Sequence, residues 1–331
     1  MMNSLRAATP HMPRTIEVAD RVVARAVMDS TNVFARYMID EGQIYPRVDG
    51  KVPITVVAAD LQTEGHGRLG RTWVSMPGES FTVSFATVLP RYLATDPNIN
   101  GWLQMCAGLS AINAIREVCD NDVVASAKPE CVFSLKWPND IFCHDLKLGG
   151  ILCELVTLPH PEEADPYSAY QGAAYRDDPN HDEIRQDMLE TNEDLDTYVG
   201  VVFGIGINLA VRAERLPTPL STSLQMHRDG LPTAQVLRDM IAAALVVQLR
   251  SRLQSCIDDT DHAMSTLLKE TRTECWTLGR RVEAHLAQGT VVVGTAISLN
   301  PDASLNIRDD DGNIHVVHTG DVGVLPPDSE Y

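Results

Sequence analysis

Apolar positions recur along this chain with two periods, and the alternation between them divides it into strands and helices. Short runs rich in Val, Ile and Phe at 21–28, 54–61, 81–89, 132–136, 150–158 and 199–209 predict strands; Phe81, Val83 and Phe85 share one face. Helices are expected at 32–40, 100–118, 233–253 and 259–276. In the third of these Thr233 follows Pro232 as an N-cap, and Leu237, Ile241, Leu245 and Leu249 repeat along one face. Beyond Gly279 only short strands remain, in RRVEAHL, TVVVGTAISL, SLNIRD and NIHVVHT, separated by turns at 288–289, 300–302 and 311–313. That spacing reads as a small barrel, with a boundary near 276–279.

Charge changes the picture in one place. The 331 residues carry a net charge of −18, which argues against broad electrostatic binding of nucleic acid or an anionic membrane. Between 160 and 198 twelve acidic residues face only Arg176 and Arg185, and Pro161, Pro166 and Pro179 interrupt any period. The segment is expected to be an exposed, largely disordered hairpin extension between two strands. Elsewhere the 44% hydrophobic content supports a substantial core and excludes a disordered chain. No run approaches the ~18 apolar residues of a membrane span, and the first residues lack the apolar stretch of a secretory signal, so a cytoplasmic protein is expected. Seven cysteines without a CxxC indicate neither a disulfide framework nor a zinc site. Only about 20 residues precede the first strand, too few for a helix-turn-helix DNA-binding domain.

Four local patterns carry chemistry. The first is the stretch from Gln62 to Trp73, QTEGHGRLGRTW, whose glycines spell G-x-G-x-x-G directly after a strand. A dinucleotide-binding turn needs a helix to open at the third glycine, and Pro77-Gly78 blocks one before the next strand. What remains is a loop able to wrap a phosphate, with glycines for close backbone approach and Arg68 and Arg71 as charged forks; a flexible surface hairpin is the alternative. The second is Lys136-Trp137-Pro138-Asn139-Asp140, followed by Lys147-Leu148-Gly149-Gly150-Ile151-Leu152. Its two lysines bracket a hairpin and could face one anion, Asp140 offers the hard oxygen that a nucleotide-bound Mg²⁺ favours, and an ordinary Pro-Asn-Asp turn would leave the same residues. Third, Gly204-Ile205-Gly206-Ile207-Asn208 suggests room for a flat ligand beside Asn208, or a bulge at a sheet edge. Fourth, Asp29-Ser30-Thr31-Asn32 reads as a helix cap after a strand.

In this order and spacing, the four patterns resemble the biotin protein ligases, from about Asp29 to Leu325. The resemblance implies an α+β fold: a mixed-sheet catalytic domain like that of class II aminoacyl-tRNA synthetases and biotin ligases, plus a small C-terminal SH3-like barrel. The expected division is an N-terminal tail at 1–20, a catalytic domain at 21–276 with the acidic insertion at 160–198, and the SH3-like domain at 277–326. Carried over by motif, Ser30, Thr31 and Asn32 resemble the biotin-contacting turn, and Gln62, Gly65, His66, Gly67 and Arg68 the loop that closes over biotin and adenylate, with Arg71 beside them. Lys147 resembles the lysine near the biotin carboxylate and α-phosphate, followed by Gly149 and Gly150. Trp73 and Asn208 resemble nucleotide-side contacts, and Lys136 and Asp140 catalytic or Mg²⁺-ATP-positioning residues. The family usually has an arginine where this chain has His66, and often a basic residue at Leu69. Both departures imply a weaker phosphate grip.

The implied activity uses ATP and Mg²⁺ to convert biotin to biotinyl-AMP, then transfers it to a lysine of a biotin carboxyl carrier protein or of the biotin carrier domain of a carboxylase. Lys147, Arg68, Lys136 and Asp140 are the expected catalytic residues. A form without a DNA-binding domain is expected, as monomer or homodimer, with no DNA or membrane partner. The rival readings are a lipoate protein ligase or related acyltransferase, and a non-catalytic biotin-binding regulator.

Overall fold

The computed structural model describes residues 6–120, 131–158, 197–286, 289–318 and 320–325. The acidic insertion expected at 160–198 lies, but for its last two residues, outside the described residues.

A seven-stranded mixed sheet forms the centre. Its strands are β1 (Arg21–Met28), β2 (Thr55–Gln62), β3 (Ser80–Pro90), β4 (Phe133–Lys136), β5 (Asp140–Cys143), β6 (Leu146–Val156) and β7 (Tyr198–Asn208), in the spatial order β1-β2-β3-β7-β6-β5-β4. β1 and β2 are parallel, and the remaining pairs antiparallel. The period of two decides which helices cover which face. Val56 and Ala58 of β2 point into the larger core with α4 (Gly101–Asp120) and α6 (Ala234–Asp258), while Val57 and Ala59 point into a smaller one with Phe34, Met38 and Ile39 of α2 (Thr31–Asp40). α7 (Thr260–Glu274) continues the first layer, and the short α3 (Arg91–Thr95) and α5 (Leu224–His227) fill connections.

The expected strands and long helices are present, with ends shifted by up to five residues. The N-terminal segment differs from the expected tail: Pro13–Val18 forms a helix, α1. Six residues are too few to hold a helix alone. Its anchor is the buried Asp239 of α6, which accepts from the Arg14 and Thr15 amides at 3.1 and 3.0 Å and from Thr15 Oγ1 at 2.9 Å. One residue earlier, the fully buried Arg238 donates to Asp60 at 2.7 Å and to the Ser80 carbonyl, tying α6 to β2 and β3. A buried guanidinium is tolerated only with such partners.

The C-terminal part is a five-stranded antiparallel sheet of β8 (Arg281–His285), β9 (Val291–Leu299), β10 (Leu305–Arg308), β11 (Ile314–Val317) and β12 (Asp321–Val324), in the order β11-β10-β9-β8-β12. Its apolar face joins the main core through Val282, Ala296 and Ile307. Indole donors fix the junction: Trp102 Nε1 reaches the Pro301 carbonyl at 2.6 Å and Trp137 Nε1 the Ala303 carbonyl at 3.0 Å. The tryptophan of KWPND therefore supports the meeting of the two sheets, while the lysine and aspartate around it face the cleft described next.

Candidate active site

Glycines are concentrated in the strands beneath this cleft, and each has a different reason. A Cβ on Gly206 would lie 2.3 Å from the Trp73 ring, and one on Gly204 would lie 2.1 Å from Asn32 Oδ1. The flat group expected against β7 is thus the chain's own indole, and the second gap holds an amide. A Cβ on Gly149 would meet the Gly206 carbonyl at 2.4 Å, so this glycine serves the close approach of β6 to β7; Gly150 has more room, with Asp140 Oδ1 at 3.6 Å and Lys147 Nζ at 3.8 Å.

One wall is the start of α2. Ser30 caps it, accepting from the Val33 amide. Gln62 Oε1 accepts from the Thr31 amide at 2.7 Å and from Thr31 Oγ1 at 3.0 Å, while Ser84 Oγ donates to Asn32 Oδ1. Asn32 Nδ2 donates to Glu154 Oε2 at 2.7 Å. The polar atoms of this turn are fixed by the protein before any ligand arrives, and Ser30, Thr31 and Asn32 all line the cleft.

The glycine-rich stretch is a small hairpin rather than a formless loop. His66 and Thr72 form an antiparallel bridge, the Gly67 amide donates to the Arg71 carbonyl at 2.7 Å, and the Trp73 amide donates to the Gly65 carbonyl at 2.8 Å. Gly65 is required inside the hairpin, because a Cβ there would fall 2.4 Å from the Trp73 carbonyl oxygen. At the tip Leu69 takes φ 56° and Gly70 φ 72°, and Leu69 is 70% exposed. Arg68 lies half-buried beside the cleft, with Nη1 3.3 Å from Asn139 Oδ1. Burial pushes its guanidinium down from the ordinary value, against the opposing pull of Asp140 and Asp321. Arg71, expected as a second phosphate fork, instead pairs with Asp321 of β12. No sequence signal marked Asp321, a lone acid in a strand of four residues.

At the back of the cleft Asp140 joins the two expected lysines. Its Oδ1 is 2.7 Å from Lys147 Nζ and its Oδ2 is 3.6 Å from Lys136 Nζ. Lys147 is also held through its backbone, which donates to the Leu220 carbonyl and accepts from the Thr222 amide, both at 2.8 Å. Asn208, expected at a nucleotide, is buried and donates to the Thr222 carbonyl at 3.0 Å, so it supports the segment that supports Lys147. Trp73 Nε1 is buried without a hydrogen-bond partner among the described residues.

The cleft so formed collects Arg68, Arg71, Lys136 and Lys147 against two carboxylates, in a chain of net charge −18. It can hold an anion on fixed donors. Of the expected residues, all but Gly65, Gly149 and Asn208 line it; Thr82, Asn139, Leu152 and 320–322 also line it without having been singled out.

Residues 47–160, which include strands and the loop of this cleft, match the biotin/lipoate A/B protein ligase family. Among similar proteins, the biotin–[acetyl-CoA-carboxylase] ligase of Mycobacterium tuberculosis is 28% identical over 267 residues, 81% of this chain and 77% of that protein. Biotin–protein ligase 2 of Arabidopsis thaliana is 29% identical over 140 residues, 38% of this chain and 37% of that one. The fold is shared with the Aquifex aeolicus biotin protein ligase solved with biotin and ATP, at a TM-score of 0.57 and 19% identity, covering 93% of this chain and 97% of that one. Among the described residues no helix is long and apolar enough to cross a membrane.

Proposed function

We propose that the protein is an ATP-dependent biotin protein ligase, which activates biotin as biotinyl-AMP and passes it to a lysine of a biotin carrier domain. The observation that carries this reading is the convergence of three things in one cleft: the Lys147–Asp140–Lys136 cluster, Arg68 on the glycine hairpin, and the pre-ordered turn at 30–32. The resemblance to the M. tuberculosis ligase over most of both chains supports it.

Biotin's carboxylate is a poor acyl donor until a better leaving group is attached. In the first step a carboxylate oxygen attacks the α-phosphorus of ATP, the bond to the β-phosphate oxygen breaks, and pyrophosphate leaves. In the second the acceptor lysine amine attacks the acyl carbon and AMP leaves. Neither step needs a covalent bond to the enzyme, so the protein's contribution is placement and charge. Ser30 and Thr31, with Gln62, are positioned to orient biotin. Lys147 is positioned to offset negative charge at the reacting phosphorus, and Asp140 to aim it. Trp73 lines the cleft on the side proposed for the nucleotide. Arg68 closes the adenylate in, and hairpin closure keeps water from the mixed anhydride.

Both oxygens of Asp140 face lysines, so this donor set does not fit a resident Mg²⁺. Mg²⁺ instead enters with ATP as part of the substrate. The test is to mix the full chain with MgATP and either biotin or lipoate and measure pyrophosphate. Release with biotin alone supports the reading; release only with lipoate would replace it.

A further inference from the structure

Three residues in a row across the sheet lie under the first turn of α2. Gly204 of β7 is paired with Ser84 of β3 on one side and with Leu152 of β6 on the other. Because Gly204 has no side chain, the amide of Asn32 drops into the gap above it, where a Cβ would fall 2.1 Å from Oδ1 and 2.8 Å from Nδ2. Asn32 and Ser84 are both buried. A side-chain amide carries an acceptor on one side and donors on the other, so the groups that flank the gap decide which way it turns.

On the β3 flank Ser84 Oγ donates to Asn32 Oδ1 and lies 2.8 Å from Thr31 Oγ1. On the β6 flank Asn32 Nδ2 donates to Glu154 Oε2 at 2.7 Å, with the Leu152 carbonyl at a longer 3.3 Å. A hydroxyl can give or take a proton and would suit either orientation of the amide, whereas a carboxylate only accepts. Glu154 is therefore the stronger of the two groups that turn Nδ2 toward β6. Its other oxygen accepts from Arg36 Nη1 at 3.1 Å, one helical turn beyond Asn32, so a single carboxylate grips α2 at two successive turns. Glu154 does not line the cleft, while Asn32 lines it beside Ser30 and Thr31.

We propose that Glu154 is a positioning residue for biotin: from outside the cleft it holds the Asn32 amide, and through it the turn at 30–32, in the arrangement that receives the ligand. The inference rests on the ligase reading above. A charge-assisted hydrogen bond to a buried amide is among the stronger polar contacts a protein makes. Without it Nδ2 keeps only the longer contact to the Leu152 carbonyl, the turn loosens, and binding has to restore the lost order. The lysines and Arg68 that face the phosphates are not touched by Glu154, so the effect falls on biotin and not on MgATP.

The experiment is calorimetry of the full chain with biotin and, separately, with MgATP. Glu154→Ala should weaken biotin binding about tenfold and leave MgATP affinity unchanged. Glu154→Gln still offers an oxygen to Asn32 and should stay within about threefold of the parent. An exchange of donor and acceptor separates positioning from general loosening. Asn32→Asp sets two carboxylates against each other and should weaken biotin at least as much as Glu154→Ala. Adding Glu154→Gln to Asn32→Asp restores an amide–carboxylate pair with the roles reversed, and should recover about fivefold or more over Asn32→Asp alone. This comparison stands even if Glu154→Ala fails to fold. If the parent binds biotin but folded Glu154→Ala binds it as tightly, or if the double variant is no better than Asn32→Asp, Glu154 does not position the turn and the ligase reading is untouched. A parent that binds no biotin overturns that reading and this inference with it.

Discussion

Lys147 Nζ lies 2.7 Å from Asp140 Oδ1, so the lysine proposed to meet the reacting phosphate is already aimed by a carboxylate. The pair is built by the β5–β6 hairpin, in which Asp140 and Gly150 are directly opposite and Lys147 lies across from Phe142. A Cβ at Gly150 would lie in ordinary contact with both, 3.6 Å from Asp140 Oδ1 and 3.8 Å from Lys147 Nζ.

Lys147→Ala should abolish adenylate formation while leaving the fold intact. The lysine side chain is 37% exposed and the buried Asp140 keeps Lys136 as a counter-charge, so stability should change little, whereas loss of one donor at a reacting centre costs on the order of 10² in rate or more. Pyrophosphate release by a variant with unchanged melting behaviour checks this.

Asp140→Asn separates aiming from binding. Two ammonium groups lose their shared counter-charge, so ATP should bind at least as tightly, while Lys147 is no longer directed and kcat should fall. Steady-state kinetics will distinguish this from a metal-ligand role, in which the KM for MgATP would rise.

Gly206→Ala should act through Trp73. The new methyl would overlap the indole at 2.3 Å, and rigid strand pairing on both sides prevents β7 from yielding. Loss of a base–aromatic contact costs about 1–3 kcal/mol, so ATP affinity should fall roughly tenfold or more with biotin affinity preserved. Calorimetry with each ligand gives the answer.

Much of this was legible in the sequence, because the period-two runs are long and their ends are marked by Pro and Gly. The site motifs named most of the residues that meet in the cleft, although each motif alone is open to a plainer reading as a turn, hairpin, bulge or cap. The remainder depends on partners distant in sequence. Asp239 secures α1 from more than 200 residues away, Asp321 takes Arg71, and Asn32 and Trp73 fill the spaces that Gly204 and Gly206 leave open. The closeness of Cys131 to Cys143, whose sulfurs lie within 4.8 Å of each other, follows no CxxC spacing, since the β4–β5 hairpin brings them together.

The hairpin over the cleft should control how long the adenylate stays. Arg68→Gly removes the half-buried fork but leaves Lys147, Lys136 and Asp140, so biotinyl-AMP should still form and escape, labelling lysines of bystander albumin. Asp321→Ala frees Arg71 and should produce a milder version with unchanged thermal stability, because that pair is largely exposed. If Arg68→Gly instead stops pyrophosphate release, Arg68 serves the first chemical step.

The central claim is that this cleft joins biotin to AMP. Mass spectrometry of a mixture of the protein, biotin and MgATP tests it most directly. The account predicts biotinyl-AMP bound to the protein, and its disappearance with biotin appearing on a lysine when a biotin carrier domain is added. Bound biotin with neither adenylate nor pyrophosphate would contradict it and leave a protein that binds biotin without activating it.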